Sequence, residues 1–336
     1  NRLTGSFDYF IRKTEDMMGP GIELPAALGT NVPPTNNTDM KTYGWELQIG
    51  WRDQIGDFKY GAKLSLSDSQ SKILRYGNPT GSLSKYVEGE LIGNIYGYTT
   101  IGIAKTDEEM QQHLASLPNG GQSALGSQWA AGDIMYADLN GDGKINNGSY
   151  TINDMGDMKK IGNSTPRFMT GINLDAAYKG WDLQMFWQGV LKRDWWPGDK
   201  NMTFWGVTDG EWWSTSFKEH LDYFRTSENP LGENLNSYYP RPIFNTKNNK
   251  SQTRYLQNAA YMRLKNIQVG YTFPKVWINK LMLQNLRIFV SGENLLTITS
   301  LSDTMDPETC GAGYQSTEQA NGTVYPPVSY THLRAH

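Results

Sequence analysis

The sequence lacks the features that mark several common classes of protein. It contains no run of 18 apolar residues, which excludes a transmembrane helix. Its single cysteine, Cys310, allows neither an intrachain disulfide nor a cysteine metal cluster. A formal net charge of -3 gives no reason to expect nucleic acid or anionic lipid as a partner.

Catalytic motifs are also missing. The sequence has no Ser-His-Asp set, phosphate-binding loop or histidine metal motif, and His113 and His220 are isolated. Asp209 and Glu211 lie near tryptophans and are the best candidates for a carboxylate pair that cleaves glycosides. Nothing else in the sequence supports that chemistry, so we expect that the protein is not an enzyme.

What the sequence does contain is a repeated alternation of apolar and polar residues with period two, the pattern of β-strands with one apolar face. In the first stretch Leu3, Phe7 and Tyr9 are apolar, and the residues between them are mostly polar. An eighth strand is implied near the end of the chain. The seven clear stretches are residues 1–13, 45–52, 58–67, 168–178, 181–188, 267–273 and 286–293.

The connections between these stretches alternate between short and long. The short ones are residues 53–57, 179–180 and 274–285, and the long ones are 14–42, 70–166, 191–259 and 295–325. Outer-membrane barrels have short turns on one side, long loops on the other and aromatic residues at the strand ends. We therefore predict an all-β fold, an antiparallel transmembrane β-barrel with long extracellular loops. The alternative is a soluble carbohydrate-binding β-sandwich, whose strands also alternate.

Both ends of the chain are unusual. The sequence begins within a predicted strand and shows no signal peptide. Residues 328–336, VSYTHLRAH, resemble an adapter sequence translated in frame, and we predict that they are a non-native tail. Residues 1–327 would then be a partial barrel. The alternative is that the tail is a genuine last strand.

One loop carries the pattern of a calcium site. Residues 138–146 read DLNGDGKIN and follow D-x-N-x-D-G-x-I. The expected ligands within the loop are Asp138, Asn140, Asp142 and, through its carbonyl oxygen, Lys144. An EF-hand closes with a glutamate where this chain has Ser149, so we expect Asp154 to close the site, with Asp157 as second candidate. The Ca²⁺ would have a structural role. The alternative is an Asx-rich turn without an ion.

The long loop after Leu191 is rich in aromatic residues. Its rings could stack on sugars or contact a partner protein, and Trp195, Trp196 and Trp205 are the candidates for that role. The alternative is that the rings form the core of the loop itself. Residues 210–224 are predicted to form a short helix that buries Trp212 or Trp213.

Several segments, in order and at matching spacing, resemble the C-terminal part of the SusC/RagA outer-membrane proteins of Bacteroidota. Together they cover nearly all of residues 1–327. The segments are NRLTGSFDYFIRKT (1–14), YGWEL (43–47), GDIMYADLNGDG (132–143), IGNSTPR (161–167), YMRLKNIQVGYTFP (261–274) and VSGENLL (290–296).

The resemblance implies a TonB-dependent importer in the outer membrane of a Gram-negative bacterium. Such a protein has a 22-stranded barrel with an N-terminal plug, and a SusD-like lipoprotein forms a lid on the cell surface. It imports oligosaccharides or peptides, and TonB acts on the plug. This chain would supply about a third of the barrel. Its partners would be the lid, outer-membrane lipid and, through the plug, TonB. A siderophore or vitamin receptor shares the barrel but not these motifs.

Charged residues on the polar phase of the strands are expected to face the inside of the barrel. There they would contact the plug, channel water or substrate. These residues are Arg12, Arg52, Lys63, Asp175, Asp182, Arg287 and Glu293.

Overall fold

Fourteen β-strands make up most of the regular secondary structure in the described part of the chain. The computed structural model describes residues 2–21, 33–212, 214–279, 282–302 and 304–310, and the backbone of 330–335. The strands in this part of the chain are β1 (Leu3–Gly19), β2 (Thr35–Ile55), β3 (Phe58–Arg75), β4 (Asn94–Tyr98), β5 (Thr100–Ile103), β6 (Ile134–Tyr136), β7 (Met158–Asn163), β8 (Arg167–Tyr178), β9 (Trp181–Lys192), β10 (Asp194–Trp195), β11 (Gln257–Asn258), β12 (Tyr261–Thr272), β13 (Arg287–Thr299) and β14 (Tyr330–Ala335).

One large sheet contains eight of these strands in the order β1-β2-β3-β8-β9-β12-β13-β14. Each strand is antiparallel to the neighbours with which it pairs. Three small two-stranded sheets lie in the long connections: β4 with β7, β5 with β6, and β10 with β11. The predicted antiparallel architecture, with seven clear barrel strands and short and long connections in alternation, is confirmed.

The two faces of the large sheet differ in polarity as the alternation predicts. Leu3, Phe7, Tyr9 and Ile11 share one face of β1 and are all exposed. In a sandwich this apolar face would pack against a second sheet. Here the same face carries exposed apolar side chains from β1 to β13, which is the arrangement of a wall that faces lipid. The alternative of a soluble sandwich is therefore wrong.

The first three strands are longer than the alternating pattern indicates. β1, β2 and β3 contain 17, 21 and 18 residues. About 10 residues suffice to cross a bilayer. A tight turn joins Ile55 to Phe58, so the extra length of β2 and β3 projects on the side of the long loops. Outside the bilayer neither face of a strand must be apolar, so the sequence pattern fades there.

Short helices are confined to the connections. They are α1 (Asp107–Ala115), α2 (Met202–Trp205) and α3 (Lys275–Ile278), with 3₁₀ turns at Gly206–Thr208, Lys218–Leu221 and Lys247–Asn249. α1 begins where the Thr106 hydroxyl accepts a hydrogen bond from the Glu109 N–H group at 3.2 Å, and its first turn is acidic. In the part of the chain that the structure describes, no helix has the length and apolarity to cross a membrane.

The helix predicted over residues 210–224 does not form. Among the described residues of this segment, only Lys218–Leu221 is helical, as a 3₁₀ turn. The Ser214 hydroxyl donates to the Glu211 carbonyl at 2.7 Å, a local bond that competes with helix formation. Trp212 is exposed, and Trp213 lies outside the described residues.

The last strand falls within the predicted tail. The backbone of Tyr330–Ala335 pairs with β13, with Glu293 opposite Tyr330 and Ile288 opposite Ala335. An unpaired strand edge accepts many extended segments through backbone hydrogen bonds alone. The pairing is thus compatible with either origin of residues 328–336, and the non-native tail stays a prediction.

Candidate functional site

The long connections pack together into a loop layer, which we define as the described residues of 76–166 and 193–260. Its core contains Phe204, Trp205, Tyr239 and Tyr255, all buried. The Trp205 ring lies 4.8 Å from both the Phe204 and the Tyr255 ring. Rings at this spacing and with these edge-to-face angles are typical of a close-packed aromatic core.

This burial corrects the expectation for two of the three candidate contact residues. Trp195 and Trp205 lie inside the loop layer, where they cannot contact a ligand or a partner protein. Trp196 packs against Trp205 with ring centres 6.1 Å apart and stays partly exposed. A contact role for Trp196 remains a prediction.

The chain reverses sharply directly after Trp205. Asn201 caps α2 by accepting a hydrogen bond from the Phe204 N–H group at 3.2 Å. Gly206 then adopts φ +51°, and a Cβ atom there would lie 2.3 Å from the His220 ring. Only glycine fits this position, because it tolerates both the positive φ and the close approach.

His220 is buried beside this turn in its neutral form. Its Nδ1 accepts a hydrogen bond from the Phe217 N–H group at 2.8 Å. Its Nε2 lies 3.2 Å from the Thr203 and Phe204 carbonyl oxygens and donates to them. Burial lowers the pKa of His220, although the two carbonyls and the Glu219 carboxylate act in the opposite direction.

The loop layer is therefore expected to loosen in mild acid. Because the folded state favours neutral His220, its stabilisation is complete above the ordinary pKa of 6.5 and is lost as the pH falls through the lowered pKa of the folded state. Amide exchange of 203–220, corrected for the intrinsic effect of pH, should accelerate in this range. The acceleration should be absent in His220→Gln. An equal acceleration in that variant would contradict the assignment.

A buried ionic cluster joins two distant parts of the loop layer. The Asp133 carboxylate accepts hydrogen bonds from Arg241 Nε at 2.8 Å, Asn248 Nδ2 at 2.9 Å and the Ala130 N–H group at 2.9 Å. The Lys247 ammonium lies 2.8 Å from the same carboxylate. Burial acts to raise the pKa of Asp133, but these donors outweigh it and the pKa is lowered.

The calcium-like loop has a closely hydrogen-bonded backbone. Asp138 accepts from the Gly141 and Gly143 N–H groups at 2.6 and 2.9 Å. The Asn140 and Asp142 side chains accept from the N–H groups two residues further on, at 2.9 and 3.1 Å. These Asx turns hold oxygen atoms at alternate positions of the loop, as the sequence predicts.

Of the two candidates for the closing carboxylate, Asp157 is the one that bonds to the backbone of this loop. Asp157 is buried and accepts from the Leu139 and Asn146 N–H groups at 2.9 and 2.8 Å. Asp154 instead accepts from the backbone and the hydroxyl of Ser149, at 2.9 and 2.6 Å. Its carboxylate bonds outside residues 138–146, so the geometry favours Asp157 over Asp154, and the closing ligand of a metal site stays a prediction.

The charges around the loop favour a cation. Burial, together with the neighbouring Asp138 carboxylate, raises the pKa of Asp157, although backbone donors act against this. Asp138 and Asp157 are thus two close carboxylates that a cation would stabilise. In the described ranges, however, no group of three or more His, Cys, Asp or Glu side chains is arranged to hold a metal ion. A site here would depend equally on Asn140 and the Lys144 carbonyl.

The polar face of the large sheet carries paired charges. Arg287 donates to the Asp182 carboxylate at 2.6 and 3.1 Å, and Arg52 lies 3.7 Å from Asp175. All four side chains are on the phase predicted to face inward. At the loop end of the sheet Arg167 pairs with Asp68. Because these charged side chains already pair with one another, a substrate would have to compete with those pairs in order to bind them.

A further ion pair fixes the last described loop to the wall. Arg263, from the YMRLKN segment, is almost fully buried and lies 2.6 Å from Asp306 and 2.9 Å from Glu308. Lys265 lies 3.1 Å from Glu308. Arg263 and Asp306 are 43 residues apart in the sequence, and no local pattern indicates that they pair.

Two concave regions could receive a ligand. A groove of about 260 Å³ on the large sheet is lined by polar residues that include Glu46, Gln48, Ser65 and Gln188, and by the apolar residues Leu47, Leu66, Met169 and Val190. A cleft of about 470 Å³ in the loop layer is lined by Tyr238, Tyr239, Glu219 and Asp222, among others. Both offer hydrogen-bonding groups, as sites for oligomeric polar ligands do.

Comparison with known proteins supports one family. No family model matches the sequence. TonB-dependent receptor P3 of Formosa agariphila is 30% identical over 322 residues, which cover 92% of this chain and 29% of that receptor. TonB-dependent receptor SusC of Bacteroides thetaiotaomicron is 22% identical over 283 residues, 82% of this chain and 25% of SusC. These similarities support a fragment of a SusC/RagA-type TonB-dependent receptor.

Solved structures agree on the fold of this receptor segment. The RagAB peptide transporter has a TM-score of 0.65 at 20% identity, covering 100% of this chain and 33% of that chain. Its open-open state has a TM-score of 0.60 at 18% identity. The segment thus spans about a third of the length of its relatives. Such receptors are outer-membrane proteins of Gram-negative bacteria and are not enzymes, which confirms both expectations.

Proposed function

We propose that this SusC/RagA-type segment forms the wall and surface loops of an importer for oligomeric nutrients in the outer membrane. The observation that carries the proposal is the 30% identity to a TonB-dependent receptor across 92% of the chain. TonB would supply the energy through a plug, and a SusD-like lipoprotein would cover the loop layer. The charged pairs on the inner face would support the plug.

We expect the nutrient to be a polar oligomer, either an oligosaccharide or a peptide. The groove on the large sheet is lined by Gln48, Ser65, Ser67 and Gln188, whose amides and hydroxyls can bond sugar hydroxyls or peptide groups. RagAB, to which the fold is similar, is a peptide transporter. The receptor P3 is named for no substrate.

The loop layer offers an apolar surface for the lid. Trp212 and Phe244 are 79% and 83% exposed. Gly210 lies directly against the backbone of Asn245, so the two segments that carry these rings are adjacent. Exposed aromatic residues are the usual anchors of protein interfaces. Together with the partly exposed Trp196, they are better candidates for lid contact than the buried Trp195 and Trp205.

Uptake tests the function directly. Cells that lack the receptor gene should fail to take up one class of oligomer, glycan or peptide, and should grow normally on its monomers. The full-length gene should restore uptake, and a variant without the TonB-binding segment should not. Normal uptake of every oligomer in the deleted strain would contradict the proposal.

We also propose that the 138–157 loop binds Ca²⁺ through Asp138, Asn140, Asp142, the Lys144 carbonyl and Asp157. The Asx turns hold side-chain oxygens at alternate positions of the loop, and a cation would stabilise the neighbouring Asp138 and Asp157 carboxylates. The ion would stabilise the loop layer and take no part in transport chemistry.

Calcium binding by the full-length receptor is expected to depend on Asp157 and not on Asp154. Removing a group that holds a metal site together lowers affinity by about ten- to a hundredfold, so Asp138→Asn and Asp157→Asn should weaken binding at least that much. The matched control Asp154→Asn should leave affinity unchanged. Calorimetry measures all three. Loss of binding in Asp154→Asn alone would restore the original assignment, and no binding by the unaltered receptor would exclude the site.

A further inference from the structure

One of the three short connections differs from the others in its chemistry. Ile55 and Phe58 are joined by Gly56 and Asp57, and the β8–β9 turn is Lys179–Gly180. Residues 274–285 instead read PKVWINKLMLQN, with six apolar side chains, two lysines and no acidic residue. A short turn that is exposed only to water is usually polar, so this apolar and basic composition indicates a different environment.

Most of the apolar side chains that the structure describes in this turn are exposed. Val276, Trp277 and Met282 are 75%, 60% and 97% exposed, and Ile278 is the buried residue of α3. The Pro274 carbonyl accepts a hydrogen bond from the Trp277 N–H group at 3.0 Å, which fixes the single turn of α3. Met282 adopts φ +58°, an uncommon conformation for a residue with a side chain.

An aromatic row leads from the wall into this turn. The Trp181 and Tyr271 rings are 4.9 Å apart, and Tyr271 and Phe273 are 5.0 Å apart. The Phe273 ring is in turn 6.5 Å from the Trp277 ring. Trp181 and Tyr271 belong to the lipid-facing phase of β9 and β12, and Phe273 directly follows β12, so Trp277 continues a row that begins on the lipid-facing wall.

We propose that residues 274–279 and 282–285 form a membrane anchor that lies in the phospholipid interface beside the short turns. Trp277 would occupy the headgroup level, where indole rings are favoured. Val276, Met282 and Leu283 would reach the start of the acyl chains, and Lys275 would approach the phosphate groups. The anchor would fix the height in the membrane of the connection between β12 and β13.

Spin labels on the full-length receptor in phosphatidylethanolamine–phosphatidylglycerol vesicles test the anchor. Val276→Cys and Met282→Cys are prepared without other cysteines, which includes Cys310→Ala. Collision of each label with oxygen is compared with its collision with a water-soluble nickel chelate. Val269→Cys, on the lipid face of β12, is the lipid control, and Asp57→Cys, in a polar short turn, is the water control.

Labels at 276 and 282 are expected to favour oxygen several-fold over the Asp57→Cys label and to approach the Val269→Cys label. Ratios equal to that of Asp57→Cys would overturn the proposal. Exclusion of both reagents would also overturn it, because the turn would then be covered by protein. Nickel access at Val269→Cys would contradict the lipid-facing wall itself, which distinguishes failure of the anchor from failure of the barrel.

Discussion

Asp133→Ala is expected to open the loop layer. The change leaves Lys247 buried without its carboxylate, and removing one partner of a buried ion pair costs about 3–5 kcal/mol. Arg241 and Asn248 lose the same acceptor. Amide exchange of 129–136 and 241–249 in the full-length receptor should accelerate by about a hundredfold to a few thousandfold, since 1.4 kcal/mol corresponds to a factor of about ten.

Two variants separate this cause from a general loss of folding. Glu108→Ala removes an exposed carboxylate of α1 and should leave exchange nearly unchanged. Adding Lys247→Met to Asp133→Ala removes the uncompensated charge, so the double variant should be more protected than Asp133→Ala alone. Wild-type exchange in Asp133→Ala would show that the cluster contributes little to the layer.

Trp205→Ala is expected to have an effect of similar size through a different cause. Trp205 is fully buried among aromatic rings, and truncating a core tryptophan costs about 3–5 kcal/mol through lost contacts and the cavity that remains. Limited proteolysis of the receptor should then cut within 193–260, where the unaltered loop layer resists.

Trp212→Ala is the matched control for this prediction. It removes the same side chain from an exposed position of the same loop and should leave proteolysis unchanged. In the proposed account it should instead weaken binding of the lid lipoprotein. If Trp205→Ala left the loops resistant to protease and Trp212→Ala made them sensitive, the assignment of core and surface would be reversed.

The fold was predictable from the sequence wherever a short-range rule applies. Strands with lipid on one face alternate between apolar and polar residues. This alternation was enough to assign Phe7 to the lipid-facing side of the sheet and Arg287 to the inner side. Asx turns involve neighbours two or three residues apart, so Asp138, Asn140 and Asp142 were also predictable. The extra length of β2 was not, because the pattern ends where the membrane ends.

The loop layer was less predictable because its contacts are long-range. Asp133 forms an ion pair with Arg241, which lies 108 residues further along the chain. The GDI segment at 132–134 resembles the family, but nothing in its sequence indicates this ion pair. Whether Trp205 was a core or a contact residue depended on packing that has no period in the sequence. Asp157 bonds to the backbone of the calcium-like loop because the chain returns there after an insertion, a path that EF-hand spacing cannot describe.

We propose that this wall and its loop layer function with a surface lipoprotein that covers them. The most direct test is purification of the tagged full-length receptor in mild detergent from the outer membrane of its own cells. A SusD-like lipoprotein should copurify in stoichiometric amount, and Trp212→Ala combined with Phe244→Ala should reduce its recovery. A receptor that purifies alone, from cells whose oligomer uptake does not require any such lipoprotein, would contradict the account.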